Sequence, residues 1–356
     1  MSAPGLRVTV IGAGSWGTTV AGLVARGEGP NDSTVLWARE PEVVSGINDH
    51  GINEMFLPGC RLPPSLRATS ELDSALDGAG ALVMAIPAQY FRSVFRDVAG
   101  RLPAGPVISV VKGIERGSLK RMTEIVREES DHDPALIGVL CGPNLAREIA
   151  AGEPAATVIA LPDQDWARRL QGRLMSPTFR VYTNADVIGC EISGAVKNVM
   201  AIGAGISDGL GFGLNTKAAL LTRGLAELIR LGTALGGELL TFLGLAGNGD
   251  LVATCTAEES RNHRVGVELG RGRRIDEIVD EMHMVAEGVE TAPGVLALAH
   301  RAGVEMPIVE QVHAVIRGER GAAEAVALLM GRGARPEVDP TRWADTVPRD
   351  LVPPAI

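Results

Sequence analysis

Residues 8–24, VTVIGAGSWGTTVAGLV, leave few folds open to this chain. A β-branched run leads into G-x-G-x-x-G at Gly12, Gly14 and Gly17, and an apolar 3.6-residue period follows. With a strand before it and a helix after it, the pattern gives each glycine its own duty. Gly12 permits the tight turn. Gly14 lets the backbone approach a pyrophosphate. Gly17 lets helix and strand pack closely. The helix N-terminus then offers N–H groups and the positive end of its dipole to phosphate oxygens. Without its flanking elements the same pattern would be an ordinary glycine turn.

The rest of the first half repeats the alternation. Strand candidates are 7–12, 33–38, 81–87, 106–112, 135–142, 156–161 and 179–184. Most are continuous apolar runs, as in strands buried on both faces of a largely parallel sheet. Helical patterns separate them. The spacing predicts an α/β, Rossmann-like doubly wound domain over 1–188. Beyond it the strand signal stops. Helical patterns at 190–207, 215–236, 257–271, 288–302 and 307–317 predict an all-α domain over 189–332. The proline- and acid-rich stretch 333–356 reads as a loosely ordered tail. A chain of 356 residues is long enough for two such cores.

A net charge of −9 and only 3% aromatic residues argue against a nucleic-acid surface. A small anionic ligand then needs a locally basic pocket. The four cysteines, Cys60, Cys141, Cys190 and Cys255, are far apart and form no C-x-x-C pair, so no metal site is expected and the thiols are expected free. The opening MSAPGLRVTV has no signal-peptide core. No uninterrupted apolar run reaches the roughly 20 residues of a membrane span. These features point to a cytoplasmic protein with no integral membrane segment. The apolar surface of 215–236 would serve a homodimer or simply the internal core.

Four places break the apolar patterns with chemistry. Of 34 basic residues only four are lysine: Lys112, Lys120, Lys197 and Lys217. Lys197 sits among Ile192, Ala195, Val196, Val199, Met200, Ala201 and Ile202. Lysine can lose its proton when burial lowers its pKa, and arginine effectively cannot. The strand ends, where ligands bind in open α/β sheets, carry the glycine loop, Pro87, Lys112, and Gly142-Pro143-Asn144. Arg39 stands near the place of the acid that holds an NAD ribose, with Glu40 just beyond it, which favours a 2′-phosphate and hence NADP over NAD. In 245–266 a Gly-Asn-Gly turn precedes Asp250, a candidate helix N-cap. Thr256 with Glu259 fits a capping box opening the helix that carries Ser260, Arg261 and Asn262, a set suited to phosphate. Glu287 precedes a glycine at the start of another helix and would cap it or face the ligand.

The segments GAGSWGTTVA, VVKGIE, CGPNLARE, GAVKNVMAIGAGISDGLGFGLNTKAALLTRGLAEL, GDLVATCTAEESRNHRVG and MVAEGVET resemble those of bacterial NAD(P)-dependent glycerol-3-phosphate dehydrogenases, over about residues 7 to 332. The resemblance implies reversible reduction of dihydroxyacetone phosphate to glycerol 3-phosphate for phospholipid synthesis, with Lys197 as the catalytic acid and base. It implies cofactor contacts from Ser15, Trp16, Arg39, Lys112, Ala146, Arg261, Val285 and Glu287, beside the three glycines. It implies substrate contacts from Lys112, Gly142, Asn144, Lys197, Asp250, Ser260, Arg261 and Asn262. The chain departs from the family pattern at Asn144-Leu145, where serine or threonine then phenylalanine is usual, and at Asn248, where leucine is usual. Two other readings of the same features are a hydroxyacid or ketopantoate-type dehydrogenase and a non-catalytic NADPH sensor. The sensor would have no use for Lys197 and Arg261 together.

Overall fold

The computed structural model describes residues 5–282, 286–334 and 336–337. Val285 and nearly all of the expected tail lie outside the described residues. Among the described residues ten strands form: β1 Arg7–Ile11, β2 Ser33–Trp37, β3 Ile52–Asn53, β4 Leu57–Arg61, β5 Arg67–Thr69, β6 Ala81–Met84, β7 Val107–Ser109, β8 Ile137–Cys141, β9 Ala155–Ala160 and β10 Phe179–Asn184. Eight of them make one sheet in the order β10-β9-β8-β7-β6-β1-β2-β5. All seven expected strands are present. The edge strand β5 and the antiparallel β3–β4 hairpin are additions, each too short or too polar to show an apolar run. The sheet is parallel except where β9 runs antiparallel to β8, so β9 and β10 reverse together.

From β1 the chain moves out to β2 and β5 and then returns to β6 on the other side of β1. Beyond the carboxyl ends of β1 and β6, where the direction of winding switches, an open α/β sheet leaves its ligand crevice. The glycine loop, Pro87, Lys112 and Gly142 all follow strands at that edge.

The helical half is built around Val187–Gly209, most of whose residues are buried. By length and mean hydropathy (1.3) this helix could cross a membrane, yet 94% of its most apolar window is buried inside the protein. It is the core helix that the other helices surround, and its greasiness answers to them. The helix Arg261–Gly270 crosses it glycine to glycine. A Cβ on Gly205 would run into the His263 carbonyl, and one on Gly266 into the Ile202 carbonyl. Gly209 and Gly270 make the same approach one turn on.

Two expectations about helix starts are corrected. Asp250 is not an N-cap: it is the first residue of the helix Asp250–Thr256, in helical conformation, and its carboxylate turns to lysines instead. The run 257–271 is not one helix opened by Thr256 and Glu259. The Thr256 hydroxyl donates back to the Val252 carbonyl at 2.8 Å, the chain extends at Ala257, and a new helix begins at Arg261. Its cap is Ser260, whose hydroxyl accepts from the His263 N–H at 3.3 Å.

Candidate active site

The glycine loop fits a dinucleotide. Gly12 has φ of 109°, and a Cβ there would lie 2.6 Å from the Ala85 carbonyl oxygen. A Cβ on Gly17 would collide with the Gly12 carbonyl. Beside Gly14, by contrast, a Cβ would meet nothing within 4 Å. The first and third glycines are therefore closed in by protein, and the second faces open space, where a pyrophosphate needs backbone without side chain. The helix Ser15–Arg26 that follows has no side-chain cap, so its first N–H groups stay available. The Trp16 indole N–H is buried with no partner. Ala146 opens the helix Ala146–Ala151, and its carbonyl accepts from Thr19 on the glycine-loop helix at 3.3 Å. Arg39, at the end of β2, is exposed and holds Glu40 at 2.8 Å.

At the other side of the crevice the two halves meet in an ion cluster. Lys112 follows β7 and Lys197 lies in the core helix, and both reach the same carboxylate. Lys112 Nζ donates to Asp250 Oδ2 at 2.6 Å and to the Gly142 carbonyl at 2.9 Å. Lys197 Nζ lies 3.0 Å from Asp250 Oδ1 and donates to the Thr254 hydroxyl at 2.7 Å. That hydroxyl in turn donates to Asp250 Oδ1 at 3.2 Å. Gly194, one turn before Lys197, leaves room for Lys112, whose Cγ would stand 3.2 Å from a Cβ at 194.

The three charges do not titrate alike. Burial is the largest influence on Lys197 and pushes its amine down; Asp250 pulls it back only in part, the Lys112 ammonium pushes it down again, and the net pKa lies below the ordinary 10.5. For Lys112 burial also acts downward, but Asp250 is the chief influence against it and the net pKa is raised. Burial pushes Asp250 up, and the two lysines more than reverse this, leaving it below the usual carboxylate value. Around one carboxylate the two amines are thus shifted in opposite directions, Lys112 up and Lys197 down. The Cys141 thiol, 3.9 Å from Asp250 Oδ2, is pushed by burial to about 11 and stays neutral. All four cysteines are free, as expected, and all but Cys60 are buried.

The remaining expected residues ring this cluster. Asn144 donates to Thr157 Oγ1 at 3.0 Å, and its own Oδ1 is buried without a partner. Arg261 opens its helix beside the Ser260 cap. Glu287 begins the helix Glu287–Arg301; burial raises its carboxyl, while Arg261, Lys197 and Lys112 act against that rise. Asn262, expected to offer its side chain to a phosphate, has its amide oxygen and one of its two amide N–H groups engaged within the protein. It donates to Asn198 Oδ1 at 3.0 Å and accepts from the Gly288 N–H at 2.9 Å, while Asn198 donates to the Lys112 carbonyl at 2.9 Å.

Sequence profiles of the NAD-dependent glycerol-3-phosphate dehydrogenase N-terminus and C-terminus match residues 7–167 and 186–327. The chain belongs to the NAD-dependent glycerol-3-phosphate dehydrogenase family. A relative named glycerol-3-phosphate dehydrogenase [NAD(P)+] 2 from Sphingopyxis alaskensis is 51% identical over 336 residues, 94% of this chain and 99% of its own length. Glycerol-3-phosphate dehydrogenase [NAD(P)+] from Thermobifida fusca is 48% identical, covering 93% of this chain and 98% of that one. The solved glycerol-3-phosphate dehydrogenase of Coxiella burnetii superposes with a TM-score of 0.86 at 37% identity, covering 92% of this chain and 99% of that one. A ketopantoate reductase from Ralstonia eutropha, at 17% identity and a TM-score of 0.56, shares the fold alone. The match with the glycerol-3-phosphate dehydrogenases therefore separates this chain from the ketopantoate-type reading.

Within that family frame, two polar residues of the cluster had escaped sequence reasoning. Thr254 stands four residues after Asp250, on the same helical face, a spacing that was legible. Asn198 stood in view beside Lys197, but nothing in the sequence says that it turns away to Lys112 and Asn262.

Proposed function

We propose that this chain reduces dihydroxyacetone phosphate to glycerol 3-phosphate reversibly, and that Lys197 supplies the proton to the C2 oxygen. The observation that carries the reading is a buried lysine with a lowered pKa, sharing one carboxylate with a second lysine at the sheet's carboxyl edge. Reduced NADP or NAD, held along the glycine loop, supplies the hydride for the C2 carbon. Gly12, Gly14, Ser15, Trp16 and Gly17 hold the pyrophosphate side of the cofactor. Arg39 can leave Glu40 for a ribose 2′-phosphate, which favours NADP.

Arg261, at the positive end of its helix, takes the substrate phosphate. Asn262 beside it joins in holding the phosphate through its second amide N–H while its other bonds fix the helix against the core helix, and Ser260 caps that helix. Lys112 stays charged and polarises the carbonyl. Lys197, as ammonium, protonates the oxygen as negative charge develops there; as the neutral amine it takes the proton back in the oxidation. Asp250 and Thr254 orient it.

Mixing the purified protein with NADPH and dihydroxyacetone phosphate should consume the nicotinamide absorbance, and an α-keto acid in place of the phosphate ester should not. Lys197→Arg keeps the charge and loses a group that can give up its proton at working pH. It should bind NADPH as the wild type does and lose turnover by about 10²–10⁴-fold. Substantial turnover in that variant removes the proton-transfer role.

A further inference from the structure

Asn53 ends β3 in the hairpin beside the glycine loop and is only 1% exposed. Its amide nitrogen donates twice, to the Ala13 carbonyl at 2.9 Å and to the Thr18 hydroxyl at 2.8 Å. Thr18 passes its own proton to the same Ala13 carbonyl at 3.0 Å. The amide oxygen of Asn53 accepts from the Phe56 N–H at 3.2 Å, across the turn of its own hairpin. Both donors and the acceptor are used, and Leu57, paired with Asn53 across the hairpin, is fully buried. The side chain is therefore held from its own end and grips the glycine loop at the other.

Ala13 lies between Gly12 and Gly14. A trans peptide is planar, with its C=O and N–H on opposite sides. Two donors draw the Ala13 carbonyl into the protein, so the Gly14 N–H is turned away from it. Gly14 is the loop residue with open space beside it. A phosphate needs N–H groups facing it. A flipped 13–14 peptide would face it with a carbonyl oxygen instead. A glycine at 14, free to take either sign of φ, lowers the steric barrier to such a flip on its side of the peptide, so the loop needs an external hold.

We propose that Asn53 is a positioning residue for the cofactor pyrophosphate, acting by fixing the orientation of the Ala13–Gly14 peptide. The inference rests on the dinucleotide-dependent reading of the glycine loop given above. It is tested by NADPH binding, followed by its fluorescence, and by steady-state kinetics. Asn53→Ala should raise the Kd and KM for NADPH by about tenfold, the scale of a lost buried hydrogen-bond pair, and leave kcat at saturating NADPH and the KM for dihydroxyacetone phosphate within about twofold. Asn53→Asp, which sets an acceptor against the Ala13 carbonyl, should weaken NADPH binding further. Where Asn53→Ala does not fold, Thr18→Val removes the second hold on the same carbonyl and should raise the NADPH Kd in the same direction. An NADPH Kd that stays at the wild-type value in the folded variants overturns the proposal. So does a loss spread equally over kcat and both KM values, which is the mark of general loosening. A wild-type chain that binds neither NADPH nor NADH overturns the dehydrogenase reading along with it. A wild-type chain that binds NADPH but does not reduce dihydroxyacetone phosphate, with binding weakened in Asn53→Ala, supports the positioning role and counts only against the substrate.

Discussion

Two ammonium groups around one carboxylate, Lys112 and Lys197 on Asp250, leave a single net positive charge on that trio. Asp250 sets how that charge is divided, because it raises the pKa of both lysines. For Lys197 burial wins, and for Lys112 it does not. With Lys197 as the proposed proton donor, the reduction requires its ammonium form, so kcat should fall as pH rises through its pKa. Asp250→Asn keeps the shape and removes the charge that pulls Lys197 up. Its pKa should then fall further, and the alkaline limb of the reduction profile should move to lower pH by about 1–3 units. In the oxidation the required form is the neutral amine, so the acid limb should move down with it. pH profiles of kcat in both directions check this. Limbs that stay in place, or move in opposite senses, would mean that a different group carries the proton. The sequence showed that an ammonium at 197 would be desolvated. It did not show how the opposing pull of Asp250 would balance, because that depends on a second lysine arriving from the sheet half.

Among the elements, the crossing of Val187–Gly209 with Arg261–Gly270 positions the residues proposed to take the substrate phosphate. Gly205 and Gly266 let the two backbones approach to a distance that no Cβ would permit. The crossing holds Arg261 and Asn262 against the helix that carries Lys197 and Asn198. Gly205→Ala would push against the His263 carbonyl, two residues beyond Arg261. It should cost about 1–3 kcal/mol of stability, seen as a lowered urea midpoint. It should also raise the KM for dihydroxyacetone phosphate more than the KM for NADPH. Equal changes in the two would mean that the crossing does not position the phosphate end. The sequence revealed that both helices exist and carry these residues. It did not reveal the crossing, since a glycine's packing partner is set by tertiary contacts. The same limit applied at 256–260, where the sequence offered Thr256 with Glu259 as the capping pair and the structure uses Ser260. The choice fell to Ser260 because the Thr256 hydroxyl bonds back to Val252. Seven strands were legible as apolar runs, and the Asn53 hairpin was not, because its role rests on one amide and not on a pattern.

At the scale of the whole molecule, the segment after Lys112 fastens the two halves together. Ile114 and Leu119 leave the sheet and pack in the core of the helical half, where Ile114 is fully enclosed against Gly294. Gln89, on the sheet side, holds the Ile114 carbonyl and the Arg116 N–H, each at 3.0 Å. Arg92, from the same helix, holds Glu115 through two bonds of 2.7 Å. Arg121 and the Thr123 N–H then reach Glu191 of the core helix at 2.6 and 3.0 Å. Ile114 thus has its backbone tied to one half and its side chain buried in the other. If the halves unfold as one unit, Ile114→Ala should destabilise both by the same amount, about 2–5 kcal/mol. Tryptophan fluorescence can follow the sheet half, because Trp16, Trp37 and Trp166 all lie there and Trp343 can be replaced by phenylalanine in the background. Far-ultraviolet circular dichroism is weighted toward the helical half. In urea the two signals should coincide in the parent and shift together in Ile114→Ala. A shift in only one would show that the halves unfold independently, and that the Lys112–Asp250–Lys197 cluster is assembled by docking of two separately stable domains.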